Sequence, residues 1–153
     1  MVDFDDADTL LNVGEKVTLC HFGNVMILSK EIQVDGSYHI TGEFLPEDKD
    51  YKKTKKVTWL AQGTNILLAN LIEYDHLLKK KRVEVGQHFE NAVNDKSRIV
   101  TRAYVDSAIR KLQPNNFLQI QRRAYYRIDS VMQKMDDVEF NMILVPDGKK
   151  WVG

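Results

Sequence analysis

The sequence has 153 residues but only one cysteine, three prolines and no long apolar run. A single cysteine, Cys20, excludes an internal disulfide framework and is typical of a reducing compartment. The longest apolar-leaning segment, residues 65–72, is too short to span a bilayer. The acidic N-terminus lacks the basic region and apolar stretch of a secretory signal. We therefore expect a cytoplasmic protein with no membrane partner.

An excess of positive charge is also missing, because 22 lysines and arginines are balanced by 22 aspartates and glutamates. The chain as a whole therefore has no basic field that would attract nucleic acid. Any affinity for RNA must come from the local distribution of charges, and no DNA partner is expected.

Motifs for catalysis and for metal binding are absent from the sequence. It has no glycine-rich phosphate loop and no serine in a nucleophile elbow. The four histidines lack i, i+4 spacing and a cysteine pair, so no metal site is predicted. The acidic residues 3–8 place Asp8 where a calcium loop requires glycine, which favours a frayed acidic terminus. We expect the chain itself to have no catalytic residues.

Short strands joined by turns dominate the predicted structure. Alternation of apolar and polar residues predicts strands at residues 15–22, 25–34, 37–44, 56–61, 116–130 and 138–148. Residues 65–78 fit a strand or a helix by periodicity, and the lack of flanking caps and the β-rich surroundings favour a strand as far as Tyr74. Asp35-Gly36 predicts a hairpin with a two-residue turn, since both residues tolerate positive φ. Residues 88–112 are the most polar stretch, where short helical turns are expected. The predicted fold class is all-β, in one or two small barrels.

Basic residues gather in a few short stretches: residues 49–56, residues 79–82, Arg122-Arg123 with Arg127, and Lys149-Lys150. Solvated loops that protect strand edges are the simpler interpretation of such lysines. Residues 119–127, QIQRRAYYR, interleave guanidinium, amide and aromatic groups that suit unstacked RNA bases. A strand with half-buried tyrosines would look much the same, so RNA binding and plain packing both stay open.

The sequence resembles the C-terminal anticodon-binding region of eukaryotic-type glutamyl-tRNA synthetases over nearly the whole chain, residues 1–153. The segments that carry the resemblance are GEKVTLCHFGNVMI at 14–27, DYKKTKKVTWLA at 50–61, LQIQRRAYYRID at 118–129 and MILVPDG at 142–148. The lysine-rich segment resembles the glutamyl branch more than the sister glutaminyl branch. The resemblance implies two small interlocked β-barrels, related by internal duplication and similar to those of a ribosomal 5S-RNA-binding protein. Barrel one is expected over residues 10–64 plus a returning C-terminal strand, and barrel two over residues 65–137.

The function that the resemblance implies is recognition of a tRNA anticodon by a fragment of a class I ligase. The parent enzyme is expected to join glutamate to its tRNA with ATP and magnesium, whereas this chain needs no cofactor. The implied partners are the glutamate tRNA, the parent's catalytic domain, and other synthetases or a scaffold protein. A rival interpretation is a protein-interaction module that docks in a multi-synthetase complex, with weak RNA contact or none.

Two residues match the motif with which related glutaminyl enzymes contact anticodon bases. Gln119 and Arg122 precede Ala124-Tyr125-Tyr126, where the family has a Gly-Tyr-Phe-like element. Alanine in place of glycine leaves the backbone conformation open at this point. The candidate phosphate contacts are Lys52, Lys53, Lys55, Lys56 and Arg123. Trp59 is expected in the core rather than as a stacking platform, because it alternates with Val57.

Overall fold

The computed structural model describes residues 1–63, 66–80, 86, 88–134 and 138–146. Their elements in chain order are α1 (Phe4–Leu10), β1 (Lys16–Leu19), β2 (Gly23–Ile32), β3 (Tyr38–Phe44), β4 (Lys55–Val57), β5 (Ile66–Tyr74), α2 (Phe89–Ala92), β6 (Arg98–Asp106), a 3-10 helix (Ser107–Lys111), β7 (Phe117–Ile120), β8 (Ala124–Gln133) and β9 (Val138–Leu144). The chain divides into two compact units, Met1–Gly63 and Thr64–Gly153. The predicted all-β fold class is confirmed.

The first unit is a four-stranded sheet in the order β3-β2-β1-β4. β1, β2 and β3 pair antiparallel, whereas β4 pairs parallel with β1. Their inward side chains form a core with one face of α1, and the buried members are Ala7, Leu11, Val17, Val25, Ile27 and Val57. The prediction of a frayed acidic terminus was wrong, because the Asp3 side chain accepts the amide N–H of Asp5 and caps α1.

The second unit is a five-stranded sheet in the order β6-β5-β9-β8-β7. β9 lies between β5 and β8, parallel to β5 and antiparallel to β8. The core is lined by the buried side chains Leu67, Ala69, Leu71, Ile109, Tyr126, Ile128, Phe140 and Met142. The bounds of the two barrels, with the return of a C-terminal strand to the first, stay predictions. The described part of the predicted last strand is β9, which pairs within the second sheet.

The two units repeat one backbone motif, in which a short strand, a tight turn, a ten-residue strand and a third strand follow one another. Positive φ angles recur 101 positions apart, at Gly14 (79°) and Asn115 (71°) and at His21 (62°) and Arg122 (63°). The bulge in the long strand recurs at the same spacing, between Ile27 and Ser29 and between Ile128 and Ser130. This repetition agrees with the internal duplication that the family resemblance implies.

The structure differs from the prediction in two further places, the loop of the β2–β3 hairpin and residues 88–112. The β2–β3 hairpin forms where Asp35-Gly36 predicts it, but the loop is closed from Gln33 to Ser37 and only Gly36 has positive φ. Residues 88–112 contain the expected helical turns, α2 and the 3-10 helix, yet β6 lies between them. The helical prediction for β6 was wrong because the apolar Val100 and Tyr104 are exposed while the weakly apolar Thr101 and Ala103 are half-buried, so the sequence shows no clear alternation.

A buried polar cluster fixes the loop between β3 and β4. The Asn24 side chain is 0% exposed, and its amide nitrogen lies 3.0 Å from the Asp48 carboxylate and 3.2 Å from the Asp50 carbonyl oxygen. The Thr18 hydroxyl donates to the Asn24 side-chain oxygen at 2.6 Å and is also hydrogen-bonded to the Thr54 hydroxyl. Buried polar groups of this kind are costly when one partner is removed. The cluster therefore ties the loop to the sheet.

Replacing Asn24 by Ala is expected to lower the free energy of unfolding by about 2–3 kcal/mol, because Thr18 and Asp48 lose their buried partner. Urea unfolding of the chain measures this change. The control is Asn12→Ala, since the exposed Asn12 amide makes one side-chain bond, to Glu15 at 3.2 Å. Equal stabilities of the two variants would contradict a clamping role for Asn24.

Candidate nucleic-acid interface

The hairpin between β7 and β8 carries both predicted base-contacting residues. Gln119 is exposed one residue before the end of β7, and Arg122 is exposed in the following turn. The turn interrupts the single strand that the sequence predicts over 116–130, because Arg122 adopts the left-handed conformation with φ of 63°. Among the strands of the described residues, β7 lies at the edge of its sheet and pairs with β8. The structure thus brings Gln119 and Arg122 together at one exposed end of the second unit.

Arg123, a predicted phosphate contact, is engaged in contacts within its own unit. Its Nε donates to the hydroxyl of Tyr126 at 3.3 Å, and Tyr126 is fully buried. Its Nη2 lies 3.8 Å from a carboxylate oxygen of Glu73. Because the Arg123 side chain is partly exposed, this ion pair is screened by solvent. The contacts with Tyr126 and Glu73 therefore fix the position of the Arg123 guanidinium.

The four lysines predicted as phosphate contacts fall into two pairs. The Lys55 ammonium pairs with the Glu15 carboxylate at 2.6 Å. Lys56 donates to the carbonyl oxygens of Tyr51 and Thr54 and so folds back on its own loop. Both ammonium groups thus have partners close by.

Lys52 and Lys53 differ from these two lysines. Both are exposed, and within the described part of the chain no hydrogen bond or ion pair of their ammonium groups is found. They therefore offer the positive charge most readily available to a phosphate.

Acidic partners of the lysines and of the loop have lowered pKa values. The hydrogen bond from Lys16, at 2.5 Å, is the main cause of the lowered pKa of Asp48, followed by the backbone N–H of Asp50. The hydrogen bond from Lys55 likewise lowers the pKa of Glu15. Both carboxylates are therefore held in their charged form. The ion pair of Asp48 with Lys16 ties the β3–β4 loop to β1, and that of Glu15 with Lys55 ties the start of β1 to β4.

Trp59 lies just beyond β4 and is half-buried. Its indole N–H donates to the Cys20 carbonyl oxygen at 3.0 Å, and its ring meets Phe22 edge-on, with centroids 5.4 Å apart. Phe22 also contacts the ring of Phe44 at 4.6 Å. An indole N–H that is removed from water needs a hydrogen-bond partner, and here the partner is a backbone carbonyl group at the β1–β2 turn. Trp59 thus holds this turn through its contacts with Cys20 and Phe22.

Four of the other basic positions noted in the sequence, 81, 82, 149 and 150, lie outside the described residues. Among the side chains that the structure describes, no cluster of three or more His, Cys, Asp or Glu residues could hold a metal ion. No helix in the described ranges has the length and hydrophobicity needed to cross a membrane.

Comparison with known proteins identifies the family. Residues 56–129 match the model of the anti-codon binding domain of class I tRNA synthetases (E and Q). Residues 56–129 belong to that family of anticodon-binding domains. The match contains β7, the following turn and β8 as far as Asp129, and so includes Gln119 and Arg122, whereas Lys52, Lys53 and Lys55 precede it.

Relatives of this anticodon-binding domain include much longer ligases. The chain is 36% identical over 150 residues to the cytoplasmic glutamate–tRNA ligase of Saccharomyces cerevisiae, covering 97% of this chain and 20% of that protein. It is 32% identical over 149 residues to the cytoplasmic enzyme of Arabidopsis thaliana, covering 95% and 20%. It is 30% identical over 151 residues to the bifunctional glutamate/proline–tRNA ligase of Mus musculus, covering 94% and 10%. The chain thus spans a fifth or less of these proteins.

Sequence reasoning missed which basic side chains of the anticodon-binding domain are already paired. The acidic partner of Lys55 is Glu15, which lies 40 positions earlier in the sequence. The two come together because β1 and β4 are parallel neighbours. The acidic partner of Arg123 is Glu73, which lies on β5 of the same sheet. Neither partner is visible from local spacing.

The low pKa of Asp48 predicts acid sensitivity of the first unit. A carboxylate whose pKa is lower in the folded state stabilises the fold above its ordinary pKa of about 3.9, and this stability is lost as pH falls through the folded-state value. We expect the urea midpoint to fall with acidification below about pH 5, and Asp48→Asn to weaken that dependence. With Trp151 replaced by Phe, Trp59 is the single tryptophan reporter. Glu47→Gln, at the exposed neighbouring residue, is the control, and equal pH profiles of the two variants would contradict the role of Asp48.

Proposed function

We propose that this chain binds the anticodon loop of tRNA and prefers the glutamate tRNA. The observation that carries the proposal is that the family match contains a hairpin which exposes Gln119 and Arg122 at one end. The name of the family supports anticodon binding, and the names of the relatives support glutamate as the cognate amino acid.

The chemistry of the hairpin suits bases that are splayed out of a loop. The amide of Gln119 has donors and an acceptor, and the planar guanidinium of Arg122 can donate two parallel hydrogen bonds to one base edge. Such contacts discriminate between bases, whereas ammonium groups attract any phosphate. We therefore assign base recognition to Gln119 and Arg122.

Phosphate attraction is assigned to the lysines, with an order among them. Lys52 and Lys53 are exposed and come first, while Lys55 and Lys56 would exchange a present partner for phosphate. Arg123 would also give up its contacts with Tyr126 and Glu73. The energetic gain from these three residues is therefore smaller than from Lys52 and Lys53.

The parent protein is proposed to be a cytoplasmic glutamate–tRNA ligase that uses ATP and magnesium. Relatives named as such ligases support this proposal, and the chain corresponds to a fifth or less of their length. Because no metal-holding cluster occurs among the described side chains, the residues present do not fit a magnesium site. ATP and magnesium are assigned to the catalytic domain of the parent, which is a further partner of this chain.

Docking in a multi-synthetase complex is the second candidate function. The bifunctional glutamate/proline ligases among the relatives favour it, because they join two synthetase activities in one protein. The partners would be other synthetases or a scaffold protein. Co-elution of the chain with such components in gel filtration, together with no discrimination between tRNA loops, would favour docking over anticodon recognition.

Arg122→Ala is expected to reduce discrimination between the glutamate anticodon stem-loop and a scrambled loop by about 1–3 kcal/mol, because it removes a bidentate base contact. Gln119→Ala should act in the same direction. Fluorescence titration with both loops at two salt concentrations measures the change. The control is His21→Ala, since His21 occupies the equivalent turn of the first unit with φ of 62°. Equal weakening of both loops by Arg122→Ala would contradict base recognition.

Lys52→Ala combined with Lys53→Ala is expected to flatten the salt dependence of binding without changing which loop binds better. Each lost phosphate contact should reduce the slope of log K against log salt by about 0.7–0.9. Lys55→Ala combined with Lys56→Ala should reduce it less, because both side chains already have partners. Lys96→Ala, at an exposed turn of the second unit, is the control. An unchanged slope in the Lys52 and Lys53 variant would assign these lysines to solubility alone.

A further inference from the structure

The outer face of the β7–β8 hairpin carries two large exposed aromatic side chains. Phe117 is 65% exposed and Tyr125 is 56% exposed, whereas the alternate residues Leu118 and Tyr126 point towards the core. Gln119 lies directly opposite Tyr125 in the antiparallel register. Residues that face each other in this way have Cβ atoms about 4.5–5.5 Å apart. The predicted base-reading amide therefore lies beside an accessible aromatic ring.

Phe117 has a cationic neighbour on the same face. It is opposite Arg127, whose guanidinium donates to the Asn115 side-chain oxygen at 2.9 Å and lies 3.5 Å from Asp129. Over residues 117–127 the hairpin has three arginines and no aspartate or glutamate. A flat apolar surface with positive charge around it complements an unpaired nucleotide, which has an aromatic base and an anionic phosphate.

The first unit shows what the same positions do when they are covered. Thr18 and Asn24 are opposite one another and correspond, 101 positions earlier, to Gln119 and Tyr125. There the β3–β4 loop lies over the pair, through the bonds from Asn24 to Asp48. In the second unit the corresponding pair is exposed. The duplicated motif therefore has one copy closed by its own chain and one copy open.

We propose that this outer face is a nucleobase-stacking subsite. Tyr125 stacks one unpaired base of the RNA loop and presents its edge to Gln119, and Phe117 stacks the adjacent base or its ribose. The inference rests on the proposed function, because the bases belong to the same bound loop. It adds a stacking surface to the hydrogen-bonding pair Gln119 and Arg122.

The test uses the glutamate anticodon stem-loop with the fluorescent base 2-aminopurine at each anticodon position in turn. Stacking on an aromatic ring quenches this base. Tyr125→Ala is expected to weaken binding about tenfold and to abolish the quenching at one position. Phe117→Ala should do so at the neighbouring position. Tyr125→Phe keeps the ring and should keep both affinity and quenching.

The matched control is Tyr104→Ala, since Tyr104 is also 56% exposed and lies on β6, the other edge strand of the same sheet. If the wild-type chain binds the cognate loop but Tyr125→Ala and Phe117→Ala behave like Tyr104→Ala, the stacking subsite is wrong and the proposed function stands. If the wild-type chain does not bind the loop, both fail. Self-association that Tyr125→Ala abolishes, with RNA affinity unchanged, would also overturn the subsite.

Discussion

A tight turn with one residue in the left-handed conformation sets the geometry of both units. The turn joins a four-residue strand to a ten-residue strand, with His21 in the first unit and Arg122 in the second. This conformation costs a non-glycine residue about 1 kcal/mol or more, so the surrounding ladder must hold it in place. Both residues are exposed, so the turn presents a side chain at the surface of each unit. Histidine and arginine at equivalent turns give the two units different surfaces on one backbone.

The duplication explains how one motif supports two different tasks. At the pair Thr18 and Asn24, small polar side chains accept a covering loop and become part of the interior. At the pair Gln119 and Tyr125, longer side chains stay at the surface. The choice depends on side-chain size and on hydrogen bonding to a loop, while strand pairing is the same in both copies. The pairing persists although the short and long strands of the two copies share only Ile27 with Ile128 and Ser29 with Ser130.

The fold class follows from the sequence because strand alternation is a local property. For β5, Ile66–Tyr74, periodicity alone fits a strand or a helix, and the lack of flanking caps and the β-rich surroundings correctly predict a strand. β6 was missed because Ala103 and Thr101 are weak markers of an inward face. The helix α1 was missed because its cap, Asp3, looked like one more acid in an acidic terminus.

The candidate site follows from the sequence only in part, since its residue types are local but their pairing is not. The lysines and arginines could be counted along the chain. Which of them already have an acidic partner depends on Glu15, which directly precedes the strand next to β4, and on Glu73, which lies on β5 beyond β9. The exposed aromatic face depends on the register between β7 and β8, which places Tyr125 opposite Gln119. Register is a property of two strands and cannot be assigned from one of them.

The attachment of the lysine loop to a buried asparagine has a consequence for genetics. The loop that presents Lys52 and Lys53 is positioned by Asn24, a residue with no surface of its own. An inherited or selected substitution at Asn24 would therefore disturb the presentation of Lys52 and Lys53, although Asn24 itself has no exposed surface. A classification of variants by their distance from a bound ligand would miss this link between Asn24 and the lysine loop. A measurement of folding stability would reveal it.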